Sequence, residues 1–117
     1  MATSISRLRK AAMALPETSE QPHFDLVSWR VRDRIFATIP NEPHRLRIFV
    51  AETDVAEMVA ADPAAYVEVR WGKRIAGVEA DLRNADEADV VPLLESAWRR
   101  KAPKSLVTAY DARNASG

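Results

Sequence analysis

Cysteine is absent from this 117-residue chain, which removes disulfides, thiolate zinc sites and a cysteine nucleophile. Glycine occurs three times, at Gly72, Gly77 and Gly117, too sparsely for a phosphate loop or a dinucleotide fingerprint. No apolar run approaches the ~20 residues that span a bilayer. No apolar stretch near the N-terminus fits a secretory signal either, so the cytoplasm is the expected compartment. Net charge is missing too, because 17 basic and 17 acidic side chains cancel. What is present is a 47% hydrophobic composition, too apolar for intrinsic disorder and sufficient for one core without staples. One domain over residues 1–117 is expected, with its core at about 5–107 and a tail at 108–117 that frays from Asn114.

The neutral total conceals local blocks. Residues 1–16 sum to +3, residues 70–74 to +3 and residues 99–117 to +4, against −5 for 51–69 and −5 for 75–98. The first block has the composition of an organellar presequence. Yet Ile5, Leu8, Ala12 and Leu15 keep helical spacing and Pro16 stops the run, which reads as the first helix of the domain.

Beyond Pro16 the polar stretch Glu17 to Pro22 reads as a loop. Phe24, Leu26, Val27, Trp29 and Val31 are strand formers, with a slip in alternation at Leu26-Val27 that hints at a bulge. A polar break at Arg32-Asp33 precedes Ile35, Ala37 and Ile39, giving a first hairpin. Leu46, Ile48 and Val50 alternate with Arg45 and Arg47, the pattern of a half-buried antiparallel strand. Thr53 or Asp54 caps a second helix carrying Val55, Met58 and Val59, ended by Asp62-Pro63. Tyr66 to Trp71 and Arg74 to Val78 flank Gly72-Lys73 as a second hairpin, and Gly77 within it allows close backbone approach. A last helix capped by Asp89 places Pro92 where no amide partner is lost. It aligns Leu93, Leu94, Ala97 and Trp98 on one face, puts Arg99, Arg100 and Lys101 at its C-terminal dipole, and ends at Ala102-Pro103. The order α-β-β-β-α-β-β-α predicts an α+β two-layer sandwich, a mostly antiparallel sheet with helices on one face.

Several stretches carry a resemblance. They are Ala14-Leu15-Pro16-Glu17-Thr18 with Pro22-His23-Phe24, Arg34-Ile35-Phe36-Ala37-Thr38, Leu93-Leu94-Glu95-Ser96-Ala97-Trp98-Arg99 and Ala102-Pro103-Lys104. In these the chain resembles the MmcQ/YjbR family, small bacterial proteins with a CyaY-like α+β fold. It departs from the family pattern at the first hairpin turn, Asp33-Arg34 in place of Gly-Lys, and in placing Trp71 before the second turn. The resemblance implies DNA binding, the label its members often carry, attributed to the two hairpins as wings, and its CyaY-like fold suggests iron; a non-enzymatic binding role without a cofactor is expected.

For nucleic acid the candidate cations are Arg30, Arg32 and Arg34 at the first hairpin, Arg45 and Arg47 on the third strand, and Arg70, Lys73 and Arg74 at the second. Trp29, Trp71 and Tyr66 are candidates for stacking on bases. The competing reading is a solvated strand face whose arginines pair with Glu68, Glu79 and Asp81. A protein partner docking on the Trp29/Trp71 region is the alternative function. An enzymatic alternative rests on His23 with Glu17 or Glu20. His44 is expected at the surface. No metal is expected, since the first helix lacks acids and Asp81, Asp86, Glu87 and Asp89 suit capping and a solvated loop. Neither is a membrane partner.

Overall fold

The first helix forms where the apolar spacing places it. In the computed structural model, which describes residues 2–115, α1 spans Ile5–Met13 with Leu8 and Ala12 buried. The Ser4 hydroxyl caps it, accepting from the Arg7 N–H at 3.3 Å. Four strands follow: β1 Thr18–His23, β2 Leu26–Val31, β3 Arg34–Ile39 and β4 Arg45–Ile48. Then come α2 Glu52–Ala61, β5 Tyr66–Trp71, β6 Arg74–Asp81, α3 Glu87–Lys101 and α4 Lys104–Ala115. The expected α+β class holds: a six-stranded antiparallel sheet in the order β1-β2-β3-β4-β6-β5, with helices packed on it.

The structure adds two elements to the expected order. The stretch expected as a loop is mostly β1, paired with β2 from Thr18↔Val31 to His23↔Leu26. TSEQPH has no apolar alternation because it is an edge strand held by its backbone ladder, and an edge tolerates Pro22. The second addition is α4. Ala102-Pro103 does end α3, but the Pro103 carbonyl accepts from the Leu106 and Val107 N–H groups at 3.0 and 3.1 Å and opens a new helix. Tyr110 of α4 meets Trp98 edge-on at 5.0 Å, and Arg99 bridges Glu95 of α3 to Asp111 of α4. Residues 108–115 are therefore helix rather than tail, and Ser116 and Gly117, expected to fray, lie outside the described residues.

Both later helices start earlier than Asp54 and Asp89 suggest. Ala51 occupies the cap position of α2 with no side-chain bond, so Glu52 and Asp54 sit in the first turn and act through the dipole. In α3 the cap is Asp86, whose carboxylate accepts from the Ala88 N–H at 3.1 Å. Pro92 consequently lies inside the helix. It withdraws the amide that would meet the Ala88 carbonyl, and Ala88 is exposed, so water can take the bond.

Alternation sorts the sheet into two faces. Trp29, Val31, Leu46, Ile48, Val78 and Ala80 are fully buried in the core with Leu94 and Trp98 of α3. Trp98 also donates its indole N–H to the Pro16 carbonyl at 3.0 Å, tying α3 to the exit of α1. Arg45, Arg47 and Glu79 lie on the opposite face in register. The bulge falls at Trp29/Arg30 rather than at Leu26-Val27, and a second one falls at Val69/Arg70.

Gly77 is where close approach is required. A Cβ there would overlap the Ile48 carbonyl oxygen and lie 3.0 Å from the Phe49 Cα, both backbone atoms that cannot swing aside. Gly72 instead has φ +64° with open space around it. Gly77→Ala is expected to cost about 3 kcal/mol by urea denaturation, whereas Gly72→Asn, a residue at ease in that conformation, is expected to change stability little. Equal effects of the two substitutions would contradict the packing described.

Paired carboxylates set the acid response. The Arg7 guanidinium and then the Thr3 hydroxyl hold Glu87 down to about 2 from its ordinary 4.5. Arg9 and then the Trp29 indole lower Glu20, and Arg32 lowers Glu17. Depressed carboxylates contribute stability that is full above their unfolded values near 4.5 and is lost as pH falls through the folded ones. Melting temperature should therefore decline mainly from about pH 4.5 toward 2, with Glu20→Gln flattening part of the decline. A melting temperature unchanged over that interval would refute the assignment.

Candidate functional site

β4 is the shortest strand, and its end creates a notch. It pairs with β3 only at Ala37↔Ile48 and Thr38↔Arg47, and with β6 from Arg45↔Asp81 to Ile48↔Val78. Past Ile48 the β2–β3 and β5–β6 hairpins run on at either side, to tips at Arg32-Asp33 and Gly72-Lys73. Both tips thus lie at the same end of the sheet. The chain between them continues as Phe49 and Val50, with the Phe49 N–H bonded to the Phe36 carbonyl at 3.0 Å.

A cleft of about 510 Å³ occupies this notch. Its apolar wall includes Leu26, Ile35, Phe49, Trp71 and Ile75, and its polar wall includes His23, Thr38, Arg47, Glu52, Arg74, Arg100 and Lys101. Trp71 is 57% exposed and is braced by Phe49, ring centroids 5.2 Å apart and planes inclined at 50°. Arg100 and Lys101 enter from the last turn of α3, where Arg100 donates to the Phe49 carbonyl at 2.8 Å. Burial pushes the Lys101 ammonium below its ordinary 10.5, and the guanidiniums of Arg100, Arg34 and Arg74 push it further. Two of the positive sequence blocks, 70–74 and 99–117, therefore meet here.

The eight sequence-predicted cations separate into tethered and free groups. Arg32 forms a two-bond contact with Glu17 at 2.7 and 2.9 Å, and Arg70 pairs with Glu68 at 2.7 Å. Arg45 pairs with Glu79, Glu42 and Asp81, and Arg47 with Glu79 at 2.9 Å. Arg30 donates to the Ser28 hydroxyl and the Pro22 carbonyl. The alternative of cross-strand pairing thus describes most of the open sheet face. Arg34, Lys73 and Arg74 make no salt bridge with a described residue, and of these Arg34 and Arg74 belong to the cationic cluster around Lys101.

The aromatic candidates divide just as sharply. Trp29 is fully buried, its indole N–H donating to Glu20 at 2.9 Å, and cannot stack on a ligand. Tyr66 is buried as well, and burial followed by the charges of Asp89, Asp62 and Asp86 pushes its phenol up to about 12. Trp71 is the stacking candidate the structure leaves accessible among the three.

His23 ends β1 and lines the cleft, with the Phe24 ring 4.8 Å away. The carboxylates proposed to assist it are engaged elsewhere, Glu17 by Arg32 and Glu20 by Arg9 and Trp29. His44 is exposed in the β3–β4 connection, where its carbonyl accepts from the Leu82 N–H at 2.7 Å. Among the described residues, no three His, Asp or Glu side chains gather to hold a metal ion, and no helix is long and apolar enough to cross a membrane.

Sequence reasoning missed Arg100, Lys101 and Phe49 as site residues. The two cations had a sufficient local explanation at the α3 dipole, and nothing local showed that α3 ends beside the hairpins. The positive sum over 99–117 was the available signal.

No curated protein and no solved structure matches this chain. A family model described as YjbR matches residues 13–100, from the end of α1 through all six strands to the last turn of α3. That span is most of the chain and holds both hairpins and every notch-lining residue except Lys101, and the chain belongs to the YjbR family.

Proposed function

We propose that this is a non-enzymatic nucleic-acid-binding protein that holds backbone phosphates in the notch between its two hairpins. The observation that carries the reading is that Arg74, Arg100 and Lys101, none with a salt bridge to a described acid, line an open cleft, with the Arg34 charge acting on Lys101 from beside it. Cations gathered with one another rather than with carboxylates are mutually repulsive, and an anion relieves that repulsion. Neutral overall charge gives little long-range steering, so the attraction is local to the notch. Glu52 also lines the cleft, and its carboxylate disfavours an anion lying next to it.

The test is fluorescence anisotropy of labelled DNA across a salt series. Arg74→Ala and Lys101→Gln should each weaken binding several-fold and lower the salt slope by about 0.7–0.9. Arg32→Ala, which removes a cation already held by Glu17, should leave affinity almost unchanged. No binding at low salt, or equal losses for all three variants, would sink the reading.

Lys101 gives two further expectations. A lysine carries charge below its pKa, so DNA binding should weaken as pH rises toward 10.5, and Lys101→Gln should lose that alkaline decline. In the ligand-free protein Lys101→Met should raise the melting temperature by about 2–4 °C, because it removes charge repulsion at a half-buried site. A lowered melting temperature would mean that the ammonium has a stabilising partner.

A protein partner is the second reading, favoured by Phe24, which is 92% exposed on the β1–β2 turn next to His23. Such a ligand should lose affinity on Phe24→Ala with little dependence on salt, whereas DNA binding should ignore Phe24.

A further inference from the structure

Of the cations without a salt bridge, Arg74, Arg100 and Lys101 line the concavity, while Arg34 and Lys73 are exposed at the hairpin turns. At the β2–β3 tip Arg32 is bound to Glu17 and is followed by the acidic Asp33. At the β5–β6 tip Arg70 is bound to Glu68, leaving Lys73 as the exposed cation of the turn. Wings that straddle a duplex groove need cations on their convex ends, because duplex phosphates lie on the outside of a wide cylinder. This chain places Arg74, Arg100 and Lys101 instead along a concavity of about 510 Å³, the scale of a nucleotide rather than of a double helix.

The same concavity holds an aromatic platform. Trp71 lines it, 57% exposed and fixed in orientation by Phe49 at 5.2 Å. A base in a duplex has both faces covered by its neighbours and offers none to a protein ring. An unpaired base offers its face, and a braced indole beside cations is the usual way single strands are held.

Building on the phosphate-binding reading above, we propose that the notch takes single-stranded nucleic acid, one unpaired base lying on Trp71 and the adjoining phosphates on Arg74, Lys101 and Arg100. Recognition is by stacking and charge, which tolerates any base sequence because every base offers a π-face. His23 also lines the cleft, where its imidazole can meet a sugar or phosphate oxygen of the next nucleotide.

Three probes test this: fluorescein-labelled oligothymidylate of about 12 nucleotides, a duplex of equal length, and thymidine 5′-monophosphate. Trp29 and Trp98 are fully buried, so quenching of tryptophan emission on binding reports on Trp71. The single strand should bind more tightly than the duplex and quench the emission. Trp71→Ala should weaken single-strand binding about tenfold while sparing whatever duplex binding there is, and Trp71→Phe should retain most of the affinity. Arg74→Ala should weaken both. Equal affinities for single strand and duplex, unaffected by Trp71→Ala, would overturn this proposal and leave phosphate binding standing. A mononucleotide that binds as tightly as the oligomer would overturn it in favour of a nucleotide pocket. Failure of every probe at low salt would overturn both the proposal and the reading beneath it. Because Trp71 is exposed, its variants should fold, and unchanged melting curves establish that each loss is one of binding.

Discussion

At Gly77 two backbones pass closer than any side chain would permit, and the notch follows from that contact. The Ile48 carbonyl and the Phe49 Cα lie where a Cβ of residue 77 would be. The chain leaving β4 can therefore cross the face of β6 at once instead of continuing alongside it. β4 stops after four residues, Phe49 and Val50 become the floor, and the hairpins on either side stand clear of it. With a side chain at 77 the strand would have to diverge or lengthen, and either change would fill the gap that now separates Arg34 from Arg74. A single missing Cβ thus shapes the cleft that the charges line.

Charge on the rest of the surface obeys the opposite rule. Across β4 and β6 the register sets Arg47 against Glu79 and Arg45 against Asp81, so cations and carboxylates meet by construction. Individually such pairs are worth only about 0.2–1 kcal/mol, but they satisfy the arginines and leave the open face nearly neutral. Arg7 with Glu87 and Arg99 with Asp111 likewise join α1 to α3 and α3 to α4. Against this background the cluster of Arg34, Arg74, Arg100 and Lys101 is an exception on the molecule, and it coincides with the cleft between the hairpins and with an accessible tryptophan.

The regular elements with apolar periodicity were legible in the sequence. β3 and β5 begin and end where alternation and turn residues put them, and the requirement for glycine at 77 was visible as a glycine inside a strand. β1 was not legible, because a polar edge strand is specified by the backbone of its neighbour and TSEQPH carries no period. α4 was hidden because proline both ends one helix and opens the next, and the residues around Pro103 signal only the first of these. The two hairpin tryptophans show the limit for function. Trp29 and Trp71 look alike in sequence, yet a face inside the core takes the first and the end of the sheet leaves the second accessible. In the same way nothing local distinguishes Arg32, tied to Glu17 across the turn, from Arg74, which faces other cations.

Structural need does not account for the cationic cluster. Burial of the Lys101 ammonium disfavours its charged form in the folded chain, and the three neighbouring guanidiniums add to that penalty. The remedy is within reach of single substitutions, as Glu79 demonstrates on the same strand as Arg74 by serving two arginines at once. Such a remedy exists at nearly every other arginine of the sheet and is missing where the hairpins diverge. Strain concentrated at one concave site, while the surrounding surface is neutralised pair by pair, is the pattern produced when an external anion supplies the missing charge. On the proposed reading the cluster is half of an ion-pair network, and the ligand's phosphates are the other half.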